Sequence, residues 1–533
     1  MASHFDLVII GSGAGGATLA QRLAPTGKSI LILERGEHLP REAENWSSKA
    51  VFLQNRYRTK EQWLDRKGHR FTPNTHYWVG GNTTFYGAAL FRLRARDFEE
   101  TRHAGGVSPA WPIRLADLAP YYAEAERLWQ VHGQRGVDPT ENGDEPPYAY
   151  PAVRNDPGVD RLKMHWESQG WRPFSLPLAV RLDEDHPVTS ACIKCRTCGG
   201  YPCLLRAKCD ARTVAIEPLL NLPNVTLLTG RKAIRLETDG PGRSVTEVVC
   251  QTAQGEERWS GDIVAVAAGA APTAALLLAS AGPGHENGLA NGSDQVGRNY
   301  MFHTSSAMVS VTEAPANVVF PKTLAVNDFY WGDPRGGFDM PMGQIQMLEF
   351  MTGQTLEGEV SDWLPKAALP LLSPLANAAA DRLLSMLVMS EDLPLADNRV
   401  RLGPNGQIIL DYQFNNLEGH ERLVKTLRAS LEGFVDHAHP VSQHHFQIDS
   451  LLPLYGTAHQ NGTTRFGTDP KSSVLDPWCK AHELDNLYVV DTSFFVSAAA
   501  VNPTLTTVAN AMRVGDHLIE RLGAKIPAAA SAT

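Results

Sequence analysis

Two polar residues near the end of the chain, His459 and Asn502, have the side-chain types of a proton-transfer pair. Each lies in a frame of small residues, His-Gln-Asn-Gly-Thr-Thr at 459–464 and Val-Asn-Pro-Thr at 501–504. A neutral imidazole, whose ordinary pKa is about 6.5, can take a hydroxyl proton at neutral pH, and a carboxamide can hold the same oxygen without titrating. The pair therefore predicts general-base chemistry on an alcohol. The alternative interpretation is a core histidine and a turn asparagine.

The start of the chain has the pattern of a dinucleotide-binding unit. The apolar run 7–10 predicts a buried parallel strand, a helix follows at 17–24, and a second strand over 29–33 ends at an acid that can accept from ribose hydroxyls. The glycines between strand and helix permit a tight turn, close approach of a pyrophosphate and close helix packing. The residues assigned to this site are Gly11, Gly13, Ala14, Gly15, Gly16, Glu34 and Arg35. They predict a bound dinucleotide without deciding between FAD and NAD.

Later loops of small residues are expected to complete the same site. A glycine-rich run between aromatic residues at 78–88 would let backbone lie against a planar ring, and an apolar strand over 262–270 ends in a small-residue turn before a helix at 272–280. Another apolar strand, 487–490, ends at an acid that we expect to shape the pyrophosphate region. The residues assigned here are Gly80, Gly81, Asn82, Thr83, Ala268, Gly269, Asp491, Asn502, Pro503 and Thr504.

Strand–turn–helix units return after a long excursion, which predicts an α/β protein (α+β overall) with a discontinuous Rossmann-like cofactor domain and a second, mostly β substrate-binding domain. We assign residues 1–110, 205–303 and 451–525 to the cofactor domain and 304–450 to the substrate domain. Residues 111–204 form the excursion, and residues 526–533 are expected to be a flexible tail. The length of 533 residues favours more than one domain.

Composition excludes several classes of function. A net charge of −9 with no basic stripe argues against a nucleic-acid partner. The longest apolar stretch, 367–389, is interrupted by prolines and charges, so we expect no membrane span. The N-terminus lacks the pattern of a secretory signal, so the expected location is cytoplasmic.

Five of the seven cysteines crowd between positions 192 and 209. The spacing of Cys192, Cys195, Cys198 and Cys203 is compact enough for thiolates to hold zinc or an iron–sulfur cluster, with Cys209 as a substitute ligand. Basic neighbours would offset the thiolate charge. Buried free thiols and disulfides are the alternatives, and the odd cysteine count argues against a disulfide framework.

Taken in order, these motifs resemble those of the glucose–methanol–choline (GMC) oxidoreductase family over nearly the whole chain. The matching features are the opening fingerprint with Glu34, the Gly-Gly loop at 80–83, the strand 224–233, the turn 296–299 followed by His303, and the pair His459 and Asn502. The Gly-Gly loop is nearer the pyranose oxidase-like branch. The resemblance implies that the backbone near Ala233, which replaces the usual valine, holds the adenine of FAD. Phe85 stands where a histidine can be bonded to the flavin, so we expect dissociable FAD, with His76 nearby but off the motif.

The resemblance implies an FAD-dependent enzyme that oxidises the CH–OH group of a sugar, polyol or glycoside-like alcohol. His459 would remove the hydroxyl proton while a hydride passes to flavin N5. A non-redox lyase on the same fold and an NAD-linked dehydrogenase are the alternatives. The sequence does not decide whether oxygen, a quinone or a protein accepts the electrons.

Overall fold

A computed structural model describes residues 4–141, 143, 145–311, 316–350, 352–353, 380–432, 434, 448–456 and 458–526. The strands are β1 (His4–Ile10), β2 (Ile30–Leu33), β3 (Trp63–Asp65), β4 (Arg70–Phe71), β5 (Thr101–His103), β6 (Gly106–Ser108), β7 (Val131–Gly133), β8 (Tyr150–Pro151), β9 (Phe174–Ser175), β10 (Leu178–Ala179), β11 (Val225–Leu228), β12 (Lys232–Thr238), β13 (Val245–Thr252), β14 (Gly255–Val266), β15 (Thr304–Val311), β16 (Leu324–Val326), β17 (Gln344–Met347), β18 (Leu383–Ser390), β19 (Arg399–Leu402), β20 (Ile408–Asp411), β21 (Ile448–Leu451) and β22 (Leu487–Val489). The α-helices are α1 (Ala14–Leu23), α2 (Leu115–Leu128), α3 (Pro157–Ser168), α4 (Ala270–Ala279), α5 (Leu417–Leu431) and α6 (Thr504–Arg521).

A seven-stranded sheet carries the N-terminal unit. Strands β11, β2, β1, β14 and β22 are parallel neighbours in that order, and Val8 pairs with both Leu31 and Val264. The last four residues of β1 and all of β2 are buried because helices cover the sheet, which explains their continuous apolar sequence. Strand β14 belongs to two ladders. Its first half pairs antiparallel with β13, and its second half pairs parallel with β1.

A second, β-rich core lies around the six-stranded sheet β21-β15-β18-β17-β16-β9, in which neighbouring strands are antiparallel. Every residue of β18 is buried, and α3 and α5 contribute apolar side chains to the same core, among them Trp166 and Leu427. The expected fold class, a parallel α/β sheet with a second β-rich part, is therefore confirmed. The residue boundaries of the two domains stay a prediction, and residues 354–379, 435–447 and 527–533 lie outside the described chain.

The apolar residues from 115 to 133 have helical spacing in the sequence, but the helix that forms there is shorter than this pattern predicts. Helix α2 ends at Leu128, and Gln130 then adopts a positive φ of 48° before β7 begins. The residues of β7 are buried as well, so the pattern of buried positions extends past the end of the helix. None of the helices in the described ranges has the length and apolar character needed to cross a membrane.

Candidate active site

A cavity of about 420 Å³ lies at the carboxyl ends of the parallel strands β1, β2 and β14. This edge of a doubly wound sheet is where such folds bind their ligands. The sequence-predicted residues that line the cavity are Gly11, Gly13, Ala14, Gly15, Glu34, Arg35, Gly81, Asn82, Thr83, Ala233, Ala268, Gly269, His459, Asp491, Pro503 and Thr504.

Three assigned residues, Gly16, Gly80 and Asn502, do not line the cavity. A Cβ on Gly16 would lie 2.1 Å from the carbonyl oxygen of Gly11, so Gly16 serves close helix packing. Gly80, at a φ of 97°, donates its backbone N–H to the Ser12 hydroxyl at 3.1 Å. Asn502 is 8% exposed, and its Oδ1 has no hydrogen-bond partner among the described residues. A buried amide oxygen without a partner costs free energy, which makes it a ready acceptor for a bound group.

Three helices begin at this cavity. Residues at the N-termini of α1, α4 and α6 line it, and none of the three has an acidic residue in its first turn. Free backbone N–H groups and the helix dipoles therefore give this region a positive potential that suits phosphates and other electron-rich groups. A Cβ on Gly13 would meet nothing within 4 Å, so backbone there stands open to a ligand.

Two buried carboxylates fix the shape of the site. Glu34 accepts from the backbone N–H of Ser12 (3.0 Å), the Ser12 hydroxyl (2.6 Å) and the backbone N–H of Gly36 (2.8 Å). Asp491 accepts from the Gly269 backbone N–H (2.9 Å) and from the Thr273 hydroxyl (2.5 Å), which ties the end of β22 to the start of α4. Burial raises the pKa of Asp491. Ser12 was not singled out by the sequence, although its place inside the glycine fingerprint is a signal for it.

His459 is held by a second histidine through a bond that fixes its tautomer. His303 Nε2 lies 3.1 Å from the carbonyl oxygen of Ala498, so this nitrogen carries the proton of His303. Nδ1 of neutral His303 is then an acceptor, and it lies 2.9 Å from His459 Nδ1, which must be the donor. The lone pair of half-buried His459 is therefore on Nε2. Burial and then His303 lower the pKa of His459 to about 3, and burial lowers that of His303 to about 4, so both rings are neutral at physiological pH.

Sequence reasoning placed His76 outside the motif, but its side chain lines the cavity with Thr75 and Tyr77. The imidazole stacks on Phe85, with ring centroids 3.9 Å apart and an interplanar angle of 14°. Burial lowers the pKa of His76 to about 4. Phe85 itself is buried and does not line the cavity. Phe85 thus stacks against His76, which itself lines the cavity.

The opposite end of the cavity is made by β12, α4 and the β19–β20 hairpin. Of this end, only Ala233 and the turn before α4 were assigned from the sequence. The further lining residues there are Arg231, Lys232, Ile234, Ala275, Leu276, Leu402 and Ile408. Their contribution depends on long-range packing, so no local signal could have found them.

The expected metal centre is not formed. In the ranges that the structure describes, no group of three or more histidine, cysteine or acidic side chains is placed to hold a metal ion, and all seven cysteines are free thiols. The four candidate ligands, Cys192, Cys195, Cys198 and Cys203, therefore do not form a metal site in these ranges. Burial raises the pKa of Cys192 to about 12, so this thiol is neutral.

The segment that carries the five clustered cysteines, residues 192–209, is held by lysine ammonium groups. Lys208, 1% exposed, donates from Nζ to the carbonyl oxygens of Tyr86 (2.9 Å), Cys198 (3.0 Å) and Tyr201 (2.8 Å). Lys322, 2% exposed, donates to the Gly87 carbonyl (2.6 Å) and to Cys198 Sγ (3.0 Å). A buried cation already satisfied by carbonyl oxygens disfavours a second cation beside it.

The parallel sheet, the cavity at its carboxyl edge and the paired histidines define a dinucleotide-dependent oxidoreductase. Residues 6–321 match the family model described as FAD dependent oxidoreductase, and residues 394–511 match the one described as GMC oxidoreductase. The chain belongs to the GMC oxidoreductase family. It is accordingly an FAD-dependent enzyme that oxidises alcohol groups.

Relatives cover nearly the whole chain. It is 32% identical to 6'''-hydroxyparomomycin C oxidase of Streptomyces lividus, over 98% of this chain and 92% of the relative. It is 31% identical to paromamine 6'-oxidase of Streptomyces fradiae, over 96% and 90% of the two chains. Among solved structures, pyridoxine 4-oxidase from Mesorbium loti matches with a TM-score of 0.67 and 17% identity, over 97% and 99% of the two chains. This last likeness supports the fold alone.

The residues present fit FAD. Gly13 leaves backbone open to the cavity, and Gly81 lets its loop approach the Gly13 backbone closely, since a Cβ on Gly81 would lie 3.2 Å from Gly13 Cα. The positive ends of three helices, together with Glu34, supply sites for a pyrophosphate and a ribose.

Proposed function

We propose that this enzyme oxidises the CH–OH group of a sugar, polyol or glycoside-like alcohol, with His459 as the base. The observation that carries the proposal is the bond from His459 Nδ1 to His303, because it leaves the Nε2 lone pair of His459 for a hydroxyl proton. The lowered pKa keeps that nitrogen unprotonated at neutral pH.

Bound FAD supplies an oxidised flavin ring that takes a hydride from the carbinol carbon. His459 takes the hydroxyl proton, so the alcohol loses one proton and one hydride and becomes a carbonyl compound. Asn502 holds the same oxygen as negative charge develops on it. The names of the two Streptomyces relatives support an alcohol substrate, because one names a 6'''-hydroxy compound and the other names oxidation at a 6' position.

Anaerobic mixing with candidate alcohols tests this proposal. Loss of the flavin absorbance on mixing is the expected result, since hydride transfer reduces the ring. Product formation without any change in flavin absorbance would contradict the proposal and indicate lyase chemistry. Repeating the reaction with oxygen and with dye acceptors then separates an oxidase from a dehydrogenase.

Replacing Asn502 by alanine is expected to lower kcat by about tenfold, with a smaller loss than at the base, because Asn502 orients the oxygen but carries no proton. Steady-state kinetics with flavin content measured on the same sample checks this. Asn510, a buried asparagine on α6 that donates to Cys479 Sγ at 3.2 Å, offers a matched control in which alanine should leave kcat unchanged. An Asn502 variant with native kcat would remove Asn502 from the mechanism.

We also propose that the FAD is bound without a covalent link. Acid or heat denaturation is expected to release all of the flavin into the supernatant, because the family resemblance puts Phe85, which cannot bond the flavin, where a histidine can do so. Absorbance of the supernatant and of the washed precipitate measures this directly. Flavin that remains with the polypeptide would contradict the noncovalent assignment and point to His76.

A further inference from the structure

The backbone segment Ala498–Ala500, just before Asn502, is held from behind by three side chains. The carbonyl oxygen of its first residue accepts from His303 Nε2 at 3.1 Å. The N–H of its second residue donates to Glu391 Oε1 at 3.1 Å, and that of its third donates to the Tyr330 hydroxyl oxygen at 3.1 Å. One short segment therefore sets both the histidine that orients the base and the loop that carries the amide.

Glu391 is the charged member of this group. It is 8% exposed, its Oε1 also accepts from the Ser108 hydroxyl at 2.7 Å, and its Oε2 lies 3.0 Å from His103 Nε2. The Asn416 amide accepts from Gly105 N–H through Oδ1 and donates from Nδ2 to His103 Nδ1 at 3.2 Å. This places the proton of His103 on Nε2, towards the carboxylate.

Other titratable groups surround this carboxylate. Those that face Glu391 from the elements packed against it are His103, His303, Asp97, Tyr330 and Asp392, with Arg94 beyond Asp97. Burial raises the pKa of Glu391, but His103 and the hydrogen bonds outweigh it and the net pKa is lowered. Burial raises the pKa of Asp97 to about 7 and that of Asp392 well above its ordinary value. Of these three carboxyls, Glu391 is the one that stays ionised throughout the neutral range.

We propose that Glu391 is a positioning residue for alcohol oxidation and the buried counter-charge for the proton that His459 takes up. The charge acts through His303, which receives the His459 N–H and bonds Ala498, next to the Ala499 N–H that Glu391 holds. A positive charge formed on a buried imidazole is costly without a compensating anion, and a carboxylate fixed on the same backbone segment as His303 would supply one. This inference rests on the proposed role of His459.

The Glu391→Gln and Glu391→Asp variants together test the charge. Glutamine keeps the length and shape of the side chain but removes the charge, whereas aspartate keeps the charge and shortens the side chain. Glu391→Gln is expected to lower kcat by about tenfold or more, with KM for the alcohol and FAD content unchanged. The reason is that the protonated His459 then lacks the stabilising carboxylate charge, and a tenfold change in kcat corresponds to about one pKa unit of lost stabilisation. Glu391→Asp is expected to stay within about threefold of the native kcat. A purely structural role gives the reverse order, since the isosteric side chain would then be the better tolerated.

Glu126→Gln is the matched control. Glu126 is also buried, and its carboxylate bonds Arg92 and Arg135 away from the catalytic loop. Its kcat per bound FAD should be native. Native kcat in Glu391→Gln, or an aspartate variant as impaired as the glutamine one, would overturn the inference. If Glu391→Gln does not fold, Glu391→Asp decides the test by itself, and a loss of kcat beyond tenfold in that variant overturns the inference. Parallel assay of His459→Ala separates the two proposals: native activity there refutes the base, whereas an inactive His459→Ala with a native Glu391→Gln refutes only the counter-charge.

Discussion

Replacing His459 by alanine is expected to lower kcat for alcohol oxidation by on the order of 10²-fold or more, while FAD stays bound. A positioned base typically contributes roughly 10² to 10⁴ in rate, and alanine leaves no group to take the hydroxyl proton. FAD should be retained because three helix N-termini and the glycine loops at 11–16 and 80–83 hold it independently of this side chain. Steady-state kcat and the flavin absorbance of the same preparation check both halves of the prediction.

The control for this variant is another histidine changed to alanine. His186, with 74% of its side chain exposed, pairs with Asp183 on the surface and should give native kcat as alanine. A His459 variant with near-native turnover would show that the proton leaves by another group. Loss of FAD together with activity would instead show that His459 is needed to bind the cofactor.

The second large effect is expected at two neighbouring glycines with opposite consequences. A Cβ on Gly15 would lie 2.0 Å from the backbone carbonyl oxygen of Val490, and neither α1 nor β22 can retreat from the sheet. Gly15→Ala should therefore lower the free energy of unfolding by about 3 kcal/mol or more. A Cβ on Gly13 would meet no protein atom within 4 Å, so Gly13→Ala should fold normally and lose at least about tenfold in FAD affinity, because the methyl group occupies ligand space.

Thermal unfolding of the apoprotein and flavin titration separate the two outcomes. Gly240→Ala, in the turn between β12 and β13, is the control, since its Cβ also meets nothing within 4 Å and lies far from the cavity. It should leave both stability and FAD affinity unchanged. A Gly13 variant that bound FAD normally would show that the pyrophosphate does not bind at this turn. A Gly15 variant of native stability would contradict the close packing of Gly15 on Val490.

The parts of the fold that local sequence could predict are those whose physical requirements are local. The β1–α1–β2 unit was found because a buried parallel strand, a tight turn with positive φ at Gly11 and a helix must follow one another directly. The same holds for Asp491, which ends an apolar strand. The residues assigned to the cofactor mostly line one cavity, although they come from segments hundreds of positions apart.

The features that escaped prediction depend on tertiary contacts. His303 was noticed as part of a turn, but its bond to His459 joins residues 156 positions apart and has no local sequence signature. The cysteine spacing suggested a metal because the basic neighbours were expected to offset thiolate charge, whereas Lys322 comes from a distant part of the chain to reach Cys198. Glu391 likewise has no motif of its own, since its partners lie on β5, β6 and the loop before Asn502.

The parallel sheet has a consequence for how the chain folds as it is synthesised. Its strands β1 and β2 emerge first, β11 and β14 follow some two hundred residues later, and β22 completes the sheet only at 487–489. Until then the edge of β14 that β22 will cover stays unpaired, and helix α6 is not there to pack on α1. Chains that end before residue 487 are therefore expected to aggregate through this apolar edge and to depend on chaperones, whereas the complete chain closes it by itself.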